Sequence, residues 1–170
     1  MEGAVKIKSL GHTTTAESRF QLRAEKARVM ARTQPATVAT GTPLRDALAA
    51  MRAHGGDAVL IQDGGRLVGI LTERDVLTRI LGAPVEGDRA VDEFMSADPH
   101  TMHADATLIE AMHAMESGHY RNVPLIDDSG AIVGLLRQQD LLEYVAEAFP
   151  QEILNLPPRP HQTMEEPEGA

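Results

Sequence analysis

Apolar residues recur at helical spacing in two separate parts of the chain. The first stripe predicts an amphipathic helix, with Thr42 as its cap and Pro43 in its first turn, and it consists of Leu44, Ala47, Leu48 and Met51. The second stripe has the same spacing and consists of Leu108, Ala111, Met112 and Met115. The pattern therefore predicts two related helices, each burying one face.

Short continuous apolar runs predict β-strands around these helices. The runs "AVLI" and "LVGIL" are separated by "DGG", and "VPLI" and "IVGLL" by "DDSG", which are hairpin turn signals. An extended piece, "ATVA" or "HTMHA", precedes each helical stripe, and a second helical segment, "ERDVLTRIL" or "QQDLLEYVAEAF", follows each hairpin. The order strand, helix, strand, strand, helix predicts an α/β fold of the α+β sandwich type.

The two halves of the chain are copies of one another. After the hairpin the copies lie 65 positions apart, as Gly69 and Gly134 show, and before it they lie 64 apart, as Leu44 and Leu108 show. We expect the extra residue to be inserted near Gly118, between a helix and a strand. A repeat of this length predicts two structural units of one architecture.

The repeat divides the chain into five segments. We expect a cationic helical extension over residues 1–28, a first repeat over 29–84, a linker over 85–94, a second repeat over 95–149, and a Pro-rich acidic tail over 150–170. In the extension, a helix leading into the first repeat is predicted by the stripe of Phe20, Ala24, Ala27 and Ala31.

Composition narrows the class of protein. The chain has 170 residues, of which 42% are hydrophobic, and it has no Cys, which excludes disulfides, a thiolate nucleophile and a Cys-ligated zinc site. No apolar run approaches the roughly 20 residues of a membrane helix, and the N-terminus lacks the apolar core of a secretory signal. These features favour a soluble cytoplasmic protein.

Charge is distributed unevenly along the chain. The net charge of −9 combines +4 over residues 1–34, from seven Lys or Arg and three Glu, with −13 over the rest. Such an acidic body repels nucleic-acid phosphate, which makes nucleic acid an unlikely partner. Any anion that the protein binds must be held by local geometry.

The corner between the second hairpin strand and the following helix has two interpretations. Thr72 and Asp75 have the spacing of a capping box, which is a purely structural role. In the second copy Arg137 replaces the threonine, and it has no acceptor with which to cap, yet Asp140 remains.

A bound ligand explains why the acid is retained in both copies. Helix N-termini offer free N–H groups to phosphate, and glycine, here Gly69 and Gly134, allows close approach to the backbone. A carboxylate at this position can accept ribose hydroxyl groups, and phosphate oxygens can be held by Thr72, Arg74 or Arg137.

The pattern Gly-apolar-x-Thr-x-x-Asp from Gly69 to Asp75, at the end of this repeat, resembles the cystathionine beta-synthase (CBS) domain. "VDEFMSADPHTM" is similar to the usual start of a second CBS repeat, and "HYRNVPLIDDSGAIVG" to its central strands. The resemblance covers roughly residues 29 to 149. The tandem arrangement resembles a Bateman module.

The resemblance implies two repeats related by pseudo-twofold symmetry, with two clefts that bind adenine nucleotides. It assigns ribose to Asp75 and phosphate to Thr72 in the first cleft, and ribose to Asp140 in the second. Phosphate contact is implied for Arg121, and contacts to the base are implied for Thr37, Val38, Thr101 and Met102. Arg137 departs from the motif, so the second site either favours a more highly charged phosphate chain or is filled by the arginine itself.

We therefore expect a non-catalytic module that binds AMP, ADP or ATP and regulates an unidentified protein partner, as a homodimer that forms a disc. The alternative is a dimeric interaction scaffold with vestigial ligand sites. The sequence does not predict an enzyme, because it contains no nucleophile and base at a recognisable spacing. We also expect no metal site, because His100 and His103 in "HTMH" point to opposite faces of an extended segment.

Overall fold

Both halves of the chain fold in the predicted order, in a computed structural model that describes residues 24–31, 34–82 and 84–148. The first half contains α1 (Ala27–Met30), β1 (Thr37–Ala39), α2 (Leu44–Ala53), β2 (Ala58–Asp63), β3 (Arg66–Thr72) and α3 (Glu73–Asp75), which continues as a π-helical turn (Val76–Ile80). After a 3₁₀ turn (Val91–Glu93), the second half contains β4 (Ser96–Ala97), β5 (Met102–His103), α4 (Leu108–Gly118), β6 (Asn122–Ile126), β7 (Ile132–Arg137) and α5 (Gln138–Ala148).

The strands form two small sheets that share a three-stranded topology, and the first sheet has a fourth strand, β4, which pairs antiparallel with β3 and was not predicted. One sheet has the order β1-β2-β3-β4 and the other β5-β6-β7. In each sheet the first strand is parallel to the second, and the second and third form the antiparallel hairpin that the turn signals predict. The predicted α/β sandwich of two tandem repeats is confirmed.

Each sheet is buried on both faces. One face packs on its helix, which places Val59 and Leu71 with Leu44, Ala47 and Met51 in a first core. A corresponding core in the second half unites α4 with β6 and β7. The opposite faces meet between the halves, because successive strand residues point to opposite sides.

The contact between the two sheets is apolar. Leu60 and Ile70 of the first copy form one buried cluster with Leu135 of the second. The hairpins also touch through a backbone bridge between Arg66 and Ala131. These contacts hold the two copies face to face.

The insertion lies elsewhere than the sequence predicts. Val59 pairs with Leu71 and Val123 with Leu136, so β2 and β6 keep the 64-residue offset that holds upstream. The extra residue is therefore in the second hairpin turn, and the expected position near Gly118 is wrong. The longer turn is held by Asp127, whose Oδ1 accepts hydrogen bonds from the backbone N–H groups at positions 129 and 131.

The predicted Thr42 cap is also wrong. The helix α2 begins at Leu44, so Pro43 is its N-cap and Thr42 lies one residue too early. The Thr42 hydroxyl instead donates to the carbonyl of Ala39, at 2.7 Å. In the second copy, by contrast, Thr107 is the N-cap and forms a capping box with a glutamate.

The segments that lead into the two copies are exchanged between them. Lys26, just before α1, makes a backbone bridge to Thr107 at the start of α4, and Ala90 makes the equivalent bridge to Pro43 at the start of α2. Each leading segment is thus fixed to the helix of the other copy.

The exchange changes the expected role of both leading segments. Ala27 is buried in the core of the second copy, although the helix was expected to lead into the first. Lys26, which lies between Ala24 and Ala27, has an extended backbone, and Ala24 is exposed, so Ala24 and Ala27 do not share one helical stripe. Phe20, the first residue of the predicted stripe, lies outside the described residues. In the expected linker, Val91 and Phe94 belong to the core of the first copy.

We expect Phe94→Ala to destabilise the protein strongly, because the ring is only 6% exposed although it belongs to the segment expected to be a linker. The free energy of unfolding should fall by about 3–5 kcal/mol in urea denaturation. Met112→Ala, on the exposed edge of α4, is the control and should cost about 0.5 kcal/mol. Equal losses for the two variants would contradict the exchanged packing.

Candidate functional site

A cavity of about 590 Å³ opens between the two copies. Its walls are the β3–α3 corner of the first copy and the β7–α5 corner of the second, together with the end of α4 and the segment just before β5. A cavity of this size is typical of sites for small molecules. The face-to-face packing of the sheets brings the two corners together here.

The cavity contains five of the residues that the sequence predicts for a ligand site. They come from both copies and are Thr72, Arg74, Asp75, Arg121 and Arg137. The other predicted residues do not line this cavity, and they are Gly69, Gly134, Asp140, Thr37, Val38, Thr101 and Met102. The site is thus built mainly from the two corners and the segment before β6.

The first corner forms the predicted capping box. The Thr72 backbone N–H and hydroxyl both donate to Asp75 Oδ2, at 2.9 and 2.6 Å, and the Asp75 N–H donates weakly to the Thr72 hydroxyl at 3.4 Å. The other carboxylate oxygen, Oδ1, lies 3.5 Å from the Arg79 guanidinium. Asp75 is 7% exposed, and it caps the helix while its side chain lines the cavity.

The second corner is organised by an arginine. Arg137 Nε donates to Asp140 Oδ2 at 2.8 Å, and its Nη2 donates to Asp140 Oδ1. Its Nη1 donates across the cavity to Asp57 Oδ2 of the first copy, at 2.6 Å. The hydrogen bonds to Asp140 have the largest effect on the pKa of Arg137, and together with the hydrogen bond to Asp57 they raise it above its ordinary value, although burial acts to lower it.

This arrangement corrects one step of the sequence interpretation. We inferred that a ligand explains why Asp140 is retained without a threonine. Arg137 supplies the missing partner instead, since both carboxylate oxygens of Asp140 accept from its guanidinium. The arginine cannot cap, but it fixes the aspartate in place.

The repeated pattern of the first corner includes Gly69 for a structural reason. A Cβ at this position would lie 2.1 Å from the Met95 sulfur, so the glycine admits the Met95 side chain against β3. The close approach predicted at Gly69 is therefore made by the protein itself. Gly134 occupies the matching place in β7, opposite Leu125.

Asp57 is a site residue that the sequence interpretation missed. The Glu73 N–H donates to the Asp57 carbonyl, and the Gln138 N–H donates to the Arg121 carbonyl, so Asp57 and Arg121 occupy equivalent places in the two copies. An insertion near Gly118 would instead align Asp57 with Asn122, one residue further along the chain. The signal was present in the sequence, because the two equivalent positions carry opposite charges.

An aromatic pair at the cavity was also missed. The rings of His100 and Tyr120 are stacked with centroids 5.1 Å apart, and both residues line the cavity. A Cβ at Gly118 would lie 2.0 Å from the Tyr120 ring, so this glycine makes room for the stack. Because the two residues are 20 positions apart in sequence, no local pattern indicates their contact.

Neither a metal site nor a membrane-spanning helix is found in the described part of the chain. Among those residues no group of three or more His, Cys, Asp or Glu side chains is placed to hold a metal ion. None of the helices formed by those residues has the length and apolar character needed to cross a membrane.

Comparison with known proteins identifies the repeat. The family model of the CBS domain matches residues 27–82 and 91–147. The meiotically up-regulated gene 70 protein of Schizosaccharomyces pombe is 34% identical over 104 residues, which are 61% of this chain and 14% of that protein. A Methanopyrus kandleri protein is 31% identical over 111 residues, 62% of this chain and 57% of that protein. The chain thus spans less than two thirds of these relatives.

The fold also matches solved structures. The crystal structure of CBSX2 in complex with AMP superimposes with a TM-score of 0.64, covering 72% of this chain and 97% of that one. The sequence identity is 18%, so this likeness concerns the fold.

We expect Asp57→Asn to weaken the contact between the copies, because Arg137 loses one of its two charged partners. The pair is largely shielded, with Arg137 11% and Asp57 28% exposed, so the free energy of unfolding should fall by about 1–3 kcal/mol. Asp63→Asn, at the exposed end of the same strand, should change it by less than about 0.5 kcal/mol. Indistinguishable urea midpoints would show that the cross-copy pair contributes nothing.

Proposed function

Since this chain belongs to the CBS domain family, we propose that it is a regulatory module whose central cavity binds an adenine nucleotide and which passes that signal to a partner protein. The observation that carries the proposal is the meeting of the Thr72–Asp75 corner with two arginines, Arg74 and Arg121, in one cavity. Such a cavity offers an acceptor for a sugar beside donors for phosphate.

The charges of the cavity suit the sugar and phosphate parts of AMP, ADP or ATP. Asp75 Oδ1 takes no bond in the capping box and is available to accept from ribose hydroxyls. Neither Arg74 nor Arg121 forms an ion pair with any described residue, so both guanidinium groups can bind phosphate oxygens. The AMP complex of CBSX2, a protein of the same fold, supports this ligand class.

The stacked rings of His100 and Tyr120 add a flat wall on which an adenine ring can lie. The alternative base contacts, Thr37, Val38, Thr101 and Met102, stay a prediction, because they lie in β1, in β5 and next to β5 and do not line the cavity.

Regulation requires that the nucleotide prefer one arrangement of the two copies. A ligand shifts a conformational equilibrium only by its difference in affinity for the two states. Here a nucleotide held by Asp75 of the first copy and Arg121 of the second would favour the arrangement in which both reach it. We propose a non-catalytic role, since the Thr72 hydroxyl is committed to the capping box.

We further propose that the module acts as a cytoplasmic homodimer in which the helical faces pack into a disc. Within the described ranges, three large apolar side chains are more than 60% exposed, and they are Leu77, Leu81 and Leu142. Leu77 and Leu142 occupy equivalent positions after the corners of the two copies, so a second chain can cover both in one symmetric interface.

A second candidate function is a dimeric scaffold with vestigial ligand sites. The observation that favours it is the engagement of Arg137 with two carboxylates, since it fills one of the two corners without any ligand. The two functions differ in their response to nucleotide.

Nucleotide binding should depend on Asp75. We expect one of AMP, ADP or ATP, at about 100 times its dissociation constant, to stabilise the protein by about 2.7 kcal/mol in thermal melting. Asp75→Asn should weaken binding at least about tenfold, because a charged acceptor for ribose is lost.

Glu110→Gln is the matched control for this test, because Glu110 forms the same capping box with Thr107 at an exposed site away from the cavity. Its nucleotide affinity should equal that of the unaltered protein. If none of the three nucleotides shifts the melting temperature, the scaffold function is preferred.

Dimer formation should depend on Leu77. We expect Leu77→Glu to raise the dissociation constant of the dimer at least about tenfold in light scattering across a concentration series, because each dimer would bury two unpaired charges. Val133→Glu, at a 37% exposed position on β7, is the control and should leave the dimer intact. A monomeric unaltered protein at micromolar concentration would disprove the proposed assembly.

A further inference from the structure

We infer that the chain binds one nucleotide, at the Thr72–Asp75 corner, because Arg137 acts as a built-in cation that closes the corner of the second copy. This inference depends on the proposed function and specifies it. The pseudo-symmetric fold provides two equivalent corners, but the charged side chains leave only one of them open to a ligand.

The two motif carboxylates differ in how fully they are engaged. Both oxygens of Asp140 accept hydrogen bonds from the Arg137 guanidinium, in a side-on pair, and Asp140 does not line the cavity. In contrast, Asp75 uses Oδ2 alone for its capping box, and its Oδ1 has only a 3.5 Å contact with Arg79, which is half exposed. A sugar can therefore reach Asp75 without displacing a bidentate partner.

Two residues that occupy equivalent places in the two copies and line the cavity carry opposite charges. The second corner faces Asp57, which contacts Arg137 at 2.6 Å. The equivalent residue of the second copy is Arg121, which lines the cavity together with Thr72 and has no ion pair among the described residues. The Arg121 guanidinium is thus available to a phosphate in the cavity, whereas the Arg137 guanidinium is already neutralised by Asp57 and Asp140.

The neighbouring helix residues increase this difference. The first corner continues with Arg74, whereas the equivalent residue of the second corner is Gln139, which is engaged with Glu143. Among the described residues, the helix after the first corner therefore brings to the cavity a guanidinium without an ion pair, that of Arg74, and the helix after the second corner brings none.

Arg137 cannot easily leave its place. Its side chain is only 11% exposed, and three of its N–H groups donate to carboxylates of two different residues. Its departure would leave Asp57 and Asp140 facing one another without a cation, and buried unpaired charges are strongly unfavourable. A ligand at the second corner would have to supply that missing positive charge, which a nucleotide does not.

The test is isothermal titration of the 170-residue chain with AMP, ADP and ATP in turn. We expect a stoichiometry of one nucleotide per chain. Asp75→Asn should weaken binding at least about tenfold, whereas the matched variant Asp140→Asn should change the affinity less than about twofold. Because the stoichiometry is read on the unaltered protein, the test does not depend on the folding of either variant.

The possible outcomes separate this inference from the proposed function. Two nucleotides per chain, or an equal loss of affinity in Asp140→Asn and Asp75→Asn, would overturn the inference and leave nucleotide binding in place. Absence of binding for all three nucleotides would overturn both. One nucleotide per chain with loss confined to Asp75→Asn supports both.

Discussion

Each copy of the repeat has an apolar sheet face that only the other copy covers. The strand β2 is buried from Ala58 to Ile61, which means that both of its faces are shielded: one by α2 and the other by the second sheet. A strand buried on both faces reads as a continuous apolar run, as "AVLI" does. Burial of Leu60 and Ile70 against Leu135 therefore sets the relative position of the copies, and the cavity between their corners follows from it.

Duplication gives this cavity a symmetric frame, and substitution has made its charges asymmetric. At equivalent places the first copy has Asp57 and Thr72 where the second has Arg121 and Arg137. One cross-copy combination, Asp57 with Arg137, is an ion pair. At the other equivalent pair, Arg121 forms no ion pair with a described residue and Thr72 is bonded to Asp75. On the proposed function, this asymmetry suits a ligand that is itself asymmetric, with a sugar at one end and phosphate at the other.

The elements and their order were predictable from the sequence because the apolar spacing of each segment matches one period of secondary structure. Four cavity residues were predictable because they lie at the corner that is repeated in both copies, and they are Thr72, Arg74, Asp75 and Arg137. Arg121 was indicated by the family resemblance, and Asp57 was not identified because its equivalence to Arg121 depends on the register of the hairpin strands. The contact of His100 with Tyr120 was not predictable, because it arises from the long-range packing of the chain. The position of the insertion was not predictable either, since aligning "AVLI" with "VPLI" is as good by residue type as the register that strand pairing selects. The aspartate bound by Arg137 shows the same limit, because a sequence motif does not reveal whether a side chain already has a partner.

The exchanged leading segments restrict how such a module can respond to a ligand. Ala27 lies in the core of the second copy and Val91 in that of the first, so the copies cannot separate without exposing core residues. Burial at this level makes full separation costly compared with the free energy of binding one small ligand. On the proposed function, the response is therefore a small change of angle between the copies. The helices after the corners carry Leu77 and Leu142 and lie next to the cavity, so on the proposed function they are the surfaces through which the second chain of the dimer would detect that change.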